Sequence, residues 1–373
     1  QFGTRPIYRL LADPANNLGA TIAALHTEIG VLMAEPNYEH SSPEARKNHA
    51  WAIGEPTAYA TQWAPQAINL ADAHRLSRGA GVRVAVLDTG VDRAHPELAG
   101  RLLPGFDFVD FDSDPSEAAD PGAIAYGHGT HVAGLVALVA PDAMIMPLRV
   151  LDANGVGNAW VLAEALLHAA DPDGDPATDD GAHVINLSLG SAGRTQVLDT
   201  ITKLVTCAEP DPAEPAGDIS DPGYDNDKAR CALRGGAVVA AAAGNDGSRR
   251  VREYPAAEGA YGLIAVTAST ASGRLAGFAN SGNWIHLAAP GDAITSSVPG
   301  GGYGTWSGTS MATPLVAGTA ALLRALDPTL TPDLIVDRLL DHSALLCGTT
   351  LRRVDAAATL AAQAPVAVLP ICR

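Results

Sequence analysis

The stretch Val82-Arg-Val-Ala-Val-Leu-Asp88-Thr-Gly90 decides how this chain is read. Its short, nearly continuous apolar run, closed by an acid and a glycine, reads as a strand buried on both faces. Residues 182–189, 237–243 and 263–268 repeat the pattern. Amphipathic stretches stand between and after them, at 131–138, 160–169, 313–326 and 332–341, the last behind Thr331 as N-cap with Pro332 at the first helical position. Strands alternating with helices predict an α/β fold: a doubly wound, mostly parallel sheet with helices on both faces. Its binding crevice lies beyond the carboxyl ends of the strands. Asp88 and Asn245 directly follow strands, which places both at that edge.

The bulk numbers agree with this fold. The 373 residues suffice for one large domain or two ordinary ones, and 47% hydrophobic with only 5% aromatic residues suits close packing of helices on a sheet. A net charge of -17 argues against nucleic acid or an anionic membrane as partner. No apolar run is long enough to span a bilayer, and a start at Gln1 without Met or signal peptide reads as a processed chain. The four cysteines form two local groups, Cys207 with Cys231 and Cys347 with Cys372. Three pairings are open; the local one closes two loops worth roughly 3 kcal/mol each. Two disulfides imply secretion, the alternative being free buried thiols in a cytosolic enzyme. Two acidic stretches, 171–181 and 208–229, are too polar to pack and read as surface insertions. Residues 1–40 have a different texture, with expected strands at 7–11 and 30–36 around a helix at 20–26. We divide the chain into this segment, a linker at 41–58 and a main domain at 59–373, and expect a monomer.

Beyond Asp88, two Gly-rich segments carry chemistry: Gly127-His128-Gly-Thr-His131-Val-Ala-Gly134 and Ser307-Gly-Thr-Ser310-Met-Ala-Thr-Pro314. A serine hydroxyl is a poor nucleophile at neutral pH, so a histidine must take its proton and an aspartate must hold that imidazole in one tautomer. Asp88, His128 and Ser310 supply these types, with both His128 and Ser310 at helix starts. Taken singly, each has a plainer reading as a turn carboxylate, a helix cap or an N-cap serine. Taken together they point to nucleophilic catalysis. Ala243-Gly244-Asn245 adds an amide beyond a strand end, suited to donate to the oxyanion of a tetrahedral intermediate.

Asp88-Thr-Gly, His128-Gly-Thr-His, Ser188-Leu-Gly190, Ala243-Gly-Asn245 and Gly308-Thr-Ser-Met-Ala-Thr-Pro314 together resemble the subtilisin-like (subtilase) family of serine endopeptidases, over about residues 62–362. The resemblance implies a seven-stranded sheet and an acyl-enzyme mechanism on protein or peptide substrates. It implies two backbone rails for an extended peptide, Ser188, Leu189 and Gly190 on one side and Gly155, Val156 and Gly157 on the other. The primary pocket is then walled by residues 188–190 and 242–245, Ala243 and Gly244 among them, with Glu253 at its floor. A carboxylate there favours Lys or Arg in the substrate; alternatively Glu253 pairs with Arg250 or Arg252. Residues 30–38 resemble the end of a subtilase propeptide, so the N-terminal segment is expected to act as an intramolecular inhibitor, with residues 37–40 blocking the crevice.

The family's strong calcium loop after the catalytic histidine is missing, since residues 136–141 run straight on. Asp173, Asp175, Asp179 and Asp180 instead cluster around Gly174 in a form suited to calcium, or to a solvated acidic loop. No organic cofactor is implied, and zinc at His128 and His131 is the weaker reading. Two other functions fit the residues less well. A non-catalytic peptide-binding protein is disfavoured by the complete triad. An α/β-hydrolase esterase needs Ser before Asp and His, whereas here Ser comes last.

Overall fold

The computed structural model describes residues 7–44, 52–54, 56–117, 121–208 and 229–362. One sheet of nine strands organises the chain. Across it run Ala344–Leu345, Arg352–Arg353, Leu287–Pro290, Leu263–Ser269, Val238–Ala242, Val184–Leu187, Arg83–Asp88, Met144–Arg149 and Phe106–Asp107. All neighbours are parallel except the first pair. The expected seven strands become nine because three edge strands of two residues each add to six central ones, too short to carry an apolar signature of their own.

The alternation of side chains along the central strands divides the core. Val84 and Val86 point into a cluster with Val132, Leu135 and Val136 of the helix His128–Val139 and Leu315, Val316 and Leu322 of the helix Thr309–Leu326. Ala85 and Leu87 point to the other face, against Leu162 and Leu166 of the helix Ala159–Ala170 and Leu198 and Ile201 of Gln196–Thr206. A strand covered on both faces needs apolar residues at every position, which is why residues 82–87 read as a continuous run. Pro314 is the sixth residue of its helix, in the second turn.

The N-terminal segment is built differently. Its helix is Leu18–Leu25, N-capped by Asn17, and none of its residues is buried. The strands expected at 7–11 and 30–36 are not formed. A strand needs a hydrogen-bonding neighbour, and the first pairing in this segment is made by Glu39–Ser41, which lies antiparallel to Val156–Asn158 of the main domain. The cysteines fit the local pairing in part: Cys207 and Cys231 form a disulfide with Cα atoms 5.7 Å apart. Cys347 is disulfide-bonded as well, and Cys372 lies outside the described residues.

Candidate active site

Asp88 ends its strand with the side chain buried, and its Oδ1 accepts from the Thr89 N–H at 2.8 Å and from His128 Nδ1 at 2.7 Å. The second contact keeps the Nδ1 proton of His128 on Asp88 and leaves Nε2 facing the crevice. His128 opens its helix behind Gly127. Ser310 stands in the first turn of Thr309–Leu326, and its Oγ lies 3.1 Å from the Ser188 carbonyl, while Ser188 Oγ donates to the Ser310 carbonyl at 2.9 Å. Asn245 is oriented by its own acceptor end: Thr309 N–H and Oγ each donate to Asn245 Oδ1 at 2.9 Å, which turns the Nδ2 donors outward.

These groups meet on a residue that the sequence does not single out. Glu44 Oε2 accepts from Ser310 Oγ at 2.6 Å and lies 3.1 Å from His128 Nε2; Glu44 Oε1 accepts from Asn245 Nδ2 at 2.7 Å. The carboxylate sits so close over Gly308 that a Cβ on that residue would overlap Oε1. Burial pulls on both partners here, toward protonated Glu44 and neutral His128. The hydrogen bonds and charges between them, joined by Asp88, Ser310 and Asn245, outweigh it. Glu44 is held below its ordinary 4.5, and His128 is raised to about 10. A carboxylate and an imidazolium are the stable pair.

The backbone ahead of Glu44 runs between the two expected rails. His40 is opposite Gly157 and Ser41 opposite Val156. Ser41 also exchanges two hydrogen bonds with Gly190, at 3.0 and 3.1 Å, and the Ser42 N–H reaches the Gly155 carbonyl at 3.1 Å. Leu189 and Ala243 are buried beside these rails, and the Gly244 N–H is held by Thr309 Oγ at 3.1 Å. Upstream, the segment caps two helices. Glu35 accepts from the Gln196 and Val197 N–H groups at 2.7 and 2.9 Å. Asn37 Oδ1 accepts from the Trp160 N–H at 3.0 Å, and the Tyr38 carbonyl from the Ala159 N–H at 2.9 Å. Glu253 is fully buried beneath Gly190 and Gly244: a Cβ on Gly190 would lie 2.5 Å from Glu253 Cγ, so only glycine leaves room for that carboxylate. Arg250 and Arg252 are exposed.

The acidic loop gathers a set of carboxylates that overlaps the expected one. Asp171, Asp173 and Asp180 bring oxygens within 4.8 Å of one another. Asp175 and Asp179 are not in that group; Asp175 Oδ1 accepts from the Ala177 N–H at 2.9 Å and Asp179 pairs with Arg83 at 2.5 Å. His131 does not join His128 as a ligand pair: its Nε2 donates toward the Ile294 and Gly304 carbonyls at 3.2 and 3.1 Å, and its ring stacks on Trp306. The helix His128–Val139 is followed after residues 140–143 by the strand Met144–Arg149, with no inserted loop.

Comparison with known proteins agrees with this geometry. Residues 79–363 match the model of the subtilase family. A thermophilic serine proteinase of a Bacillus species is 36% identical over 318 residues, which cover 82% of this chain and 66% of the relative. Thermitase of Thermoactinomyces vulgaris is 36% identical over 72% of this chain and 84% of its own. An extracellular protease of Xanthomonas campestris is 31% identical over 91% of this chain and 62% of the relative. The chain thus spans just under two thirds of the first and third of these relatives. A protease structure from Pseudoalteromonas arctica superposes with a TM-score of 0.65 at 30% identity, over 83% of this chain and 99% of that one.

Proposed function

Because the chain belongs to the subtilase family and its residues 79–363 form a subtilisin-like serine endopeptidase domain, we propose that the protein cleaves peptide bonds with the residues converging on Glu44. Ser310 Oγ attacks the scissile carbonyl carbon as His128 Nε2 takes its proton, and Asp88 holds the imidazole and balances its charge. Asn245 Nδ2 and the Ser310 N–H take the oxyanion. His128 then protonates the leaving amine, and water releases the acyl group by the same steps reversed. A donor like Asn245 is worth roughly 3 to 4 kcal/mol where it has been removed from enzymes of this class. The observation that carries the reading is the grip of Ser310, His128 and Asn245 on one carboxylate, since an acyl-transfer intermediate needs those contacts. Ser310→Ala is expected to abolish turnover of the full chain with unchanged circular dichroism; retained proteolysis would sink the assignment.

The same contacts support an inhibitory role for the N-terminal segment. It lies along both rails as a substrate would, yet the group at Ser310 is a side-chain carboxylate and not a peptide carbonyl. Bound this way, the segment fills the centre without offering it a bond to cut. Specificity for basic residues is supported by the burial of Glu253 below Gly190 and Gly244. A peptide library in which Phe and Arg are cleaved equally well would remove that preference. Secretion is supported by the Cys207–Cys231 disulfide and by a relative described as an extracellular protease; no helix among the described residues is long and apolar enough to cross a membrane.

Calcium fits the oxygen set of Asp171, Asp173 and Asp180, although Arg234 Nη1 already lies 3.3 Å from Asp180 Oδ1. Bound there, the ion would tie the ends of the loop. A melting temperature unmoved by chelator would dismiss it.

A further inference from the structure

We propose that Glu117 is a positioning residue for the Asp88–His128 pair, its carboxylate binding the residue after Asp88 to the first turn of the helix that carries His128. The inference rests on the protease reading and extends it to a residue outside the triad. The helix begins behind Gly127, which offers no side chain to satisfy the N–H groups left free at a helix start. Glu117, ten residues before Gly127 in the connection that leads into the helix, does so. Its Oε2 accepts from the Gly127 N–H at 3.2 Å, and its Oε1 from the Thr130 N–H and Oγ, both at 3.0 Å.

The same carboxylate reaches the strand side. Thr89 Oγ lies 3.2 and 3.1 Å from its two oxygens. A hydroxyl has one hydrogen, and both threonines use their oxygens to accept elsewhere: Thr89 Oγ from the Gly129 N–H at 2.9 Å, Thr130 Oγ from the Asp92 N–H at 2.8 Å. Each hydroxyl therefore has its hydrogen directed at Glu117, which calls for an ionised acceptor. Since Asp88 holds the Thr89 N–H and His128 together, the contacts close a ring through Asp88, Thr89, Glu117 and the helix start.

A plain helix cap would add stability alone. Glu117 also puts a charge beside the pair: burial pushes its carboxyl up to about 7 against the pull of the Thr130 N–H, and Asp88 pushes the same way. Among charged groups Asp88 acts on it directly, and Tyr126, in the loop before the helix, feels its charge; its link to His128 runs through Asp88 and the helix start. An ionised Glu117 favours the imidazolium of His128.

The test is Glu117→Gln in the full chain, made in the wild-type and the Glu44→Ala backgrounds and assayed on a short peptide. We expect kcat/KM to fall about tenfold with KM within twofold, and the acidic limb of the pH profile to move about half a unit lower as His128 loses a neighbouring negative charge. Glu117→Asp should return the limb toward its original place. An unmoved limb and kcat with only a lower Tm would reduce Glu117 to a cap. If the glutamine variant does not fold, the low-field proton of His128 Nδ1 in the unmodified chain is the measure. An inflection near pH 7 supports the role, and a flat response between pH 6 and 8 overturns it. Failure of the protease reading would look different, with no serine-dependent turnover in either background.

Discussion

The helix His128–Val139 buries eleven of its twelve residues, whereas the helix Leu18–Leu25 in the N-terminal segment buries none. The same segment leaves Tyr8, Leu10, Leu11, Ile29 and Leu32 exposed. The main domain is held by apolar side chains packed on both faces of a sheet. Apart from Ile7, which packs at the margin of one core cluster, the segment is held through residues 35–44, its end and the first residues of the linker, by helix caps, backbone pairing and one buried carboxylate. Attachment of that kind is how a peptide ligand binds, and it can be weakened without unfolding what it is bound to.

The largest test of this contrast removes the carboxylate. Glu44→Ala in the full chain should raise the rate of labelling by a serine-directed phosphonate probe by about 10- to 100-fold, since three charge-assisted contacts are lost, while the melting temperature of the main domain stays within about 2 °C. A variant that labels no faster, or that melts much earlier, would show that Glu44 belongs to the fold and not to a ligand-like tail.

This division also explains what could be read in advance. Asp88, His128, Ser310 and Asn245 each sit in a local pattern, at a strand end or a helix start flanked by glycine, so neighbouring residues announce them. Glu44 has no such context. It meets Ser310 from 266 positions away, and Pro43-Glu44-Ala45 looks like any polar connection. Glu117 is close in sequence, ten residues before Gly127, but it falls outside the three-residue spacing by which a helix cap is read. In the acidic loop, spacing around Gly174 points to Asp173, Asp175, Asp179 and Asp180, whereas the fold brings Asp180 back to Asp171, the residue that closes the helix Ala159–Ala170. Four of the six central strands are legible to within two residues because two-sided burial writes continuous apolar runs, whereas Met144–Arg149 and Leu287–Pro290, each interrupted or closed by a proline, are not singled out. The edge strands and the extended parts of the N-terminal segment lack that constraint.

A smaller effect follows from pH. Glu44 is held below 4.5, so its contribution to docking is present above that value and is lost as pH falls through the lower, folded one. His128 is raised from 6.5 to about 10, so its contribution is complete below 6.5 and disappears as pH rises through about 10. The segment should therefore sit most firmly near pH 5 to 6 and loosen on the alkaline side. In acid, a protonated His128 cannot activate Ser310, which leaves the alkaline limb as the readable one. Labelling of the unmodified chain is expected to rise about tenfold between pH 8 and 10, and that of Glu44→Ala to stay nearly level. Parallel rises in both would assign the change to His128 alone.

The finest test leaves the centre untouched and works on the segment's remote anchor. Glu35 places its carboxylate on the first N–H groups of the helix Gln196–Thr206, where a negative charge at a helix start contributes about 0.3 to 1 kcal/mol. Glu35→Gln removes the charge but keeps the shape, so the segment should dock roughly two- to fivefold more weakly, seen as a matching rise in probe labelling. The helix itself keeps Thr195 as its N-cap and Asp199 in its first turn, so the domain's Tm should not move. If Tm falls while labelling does not change, Glu35 serves the helix and the segment is no separable ligand at that end. If labelling rises alone, docking depends on contacts some distance from Ser310, and Glu44 is only the last of a series that begins at the two capped helices.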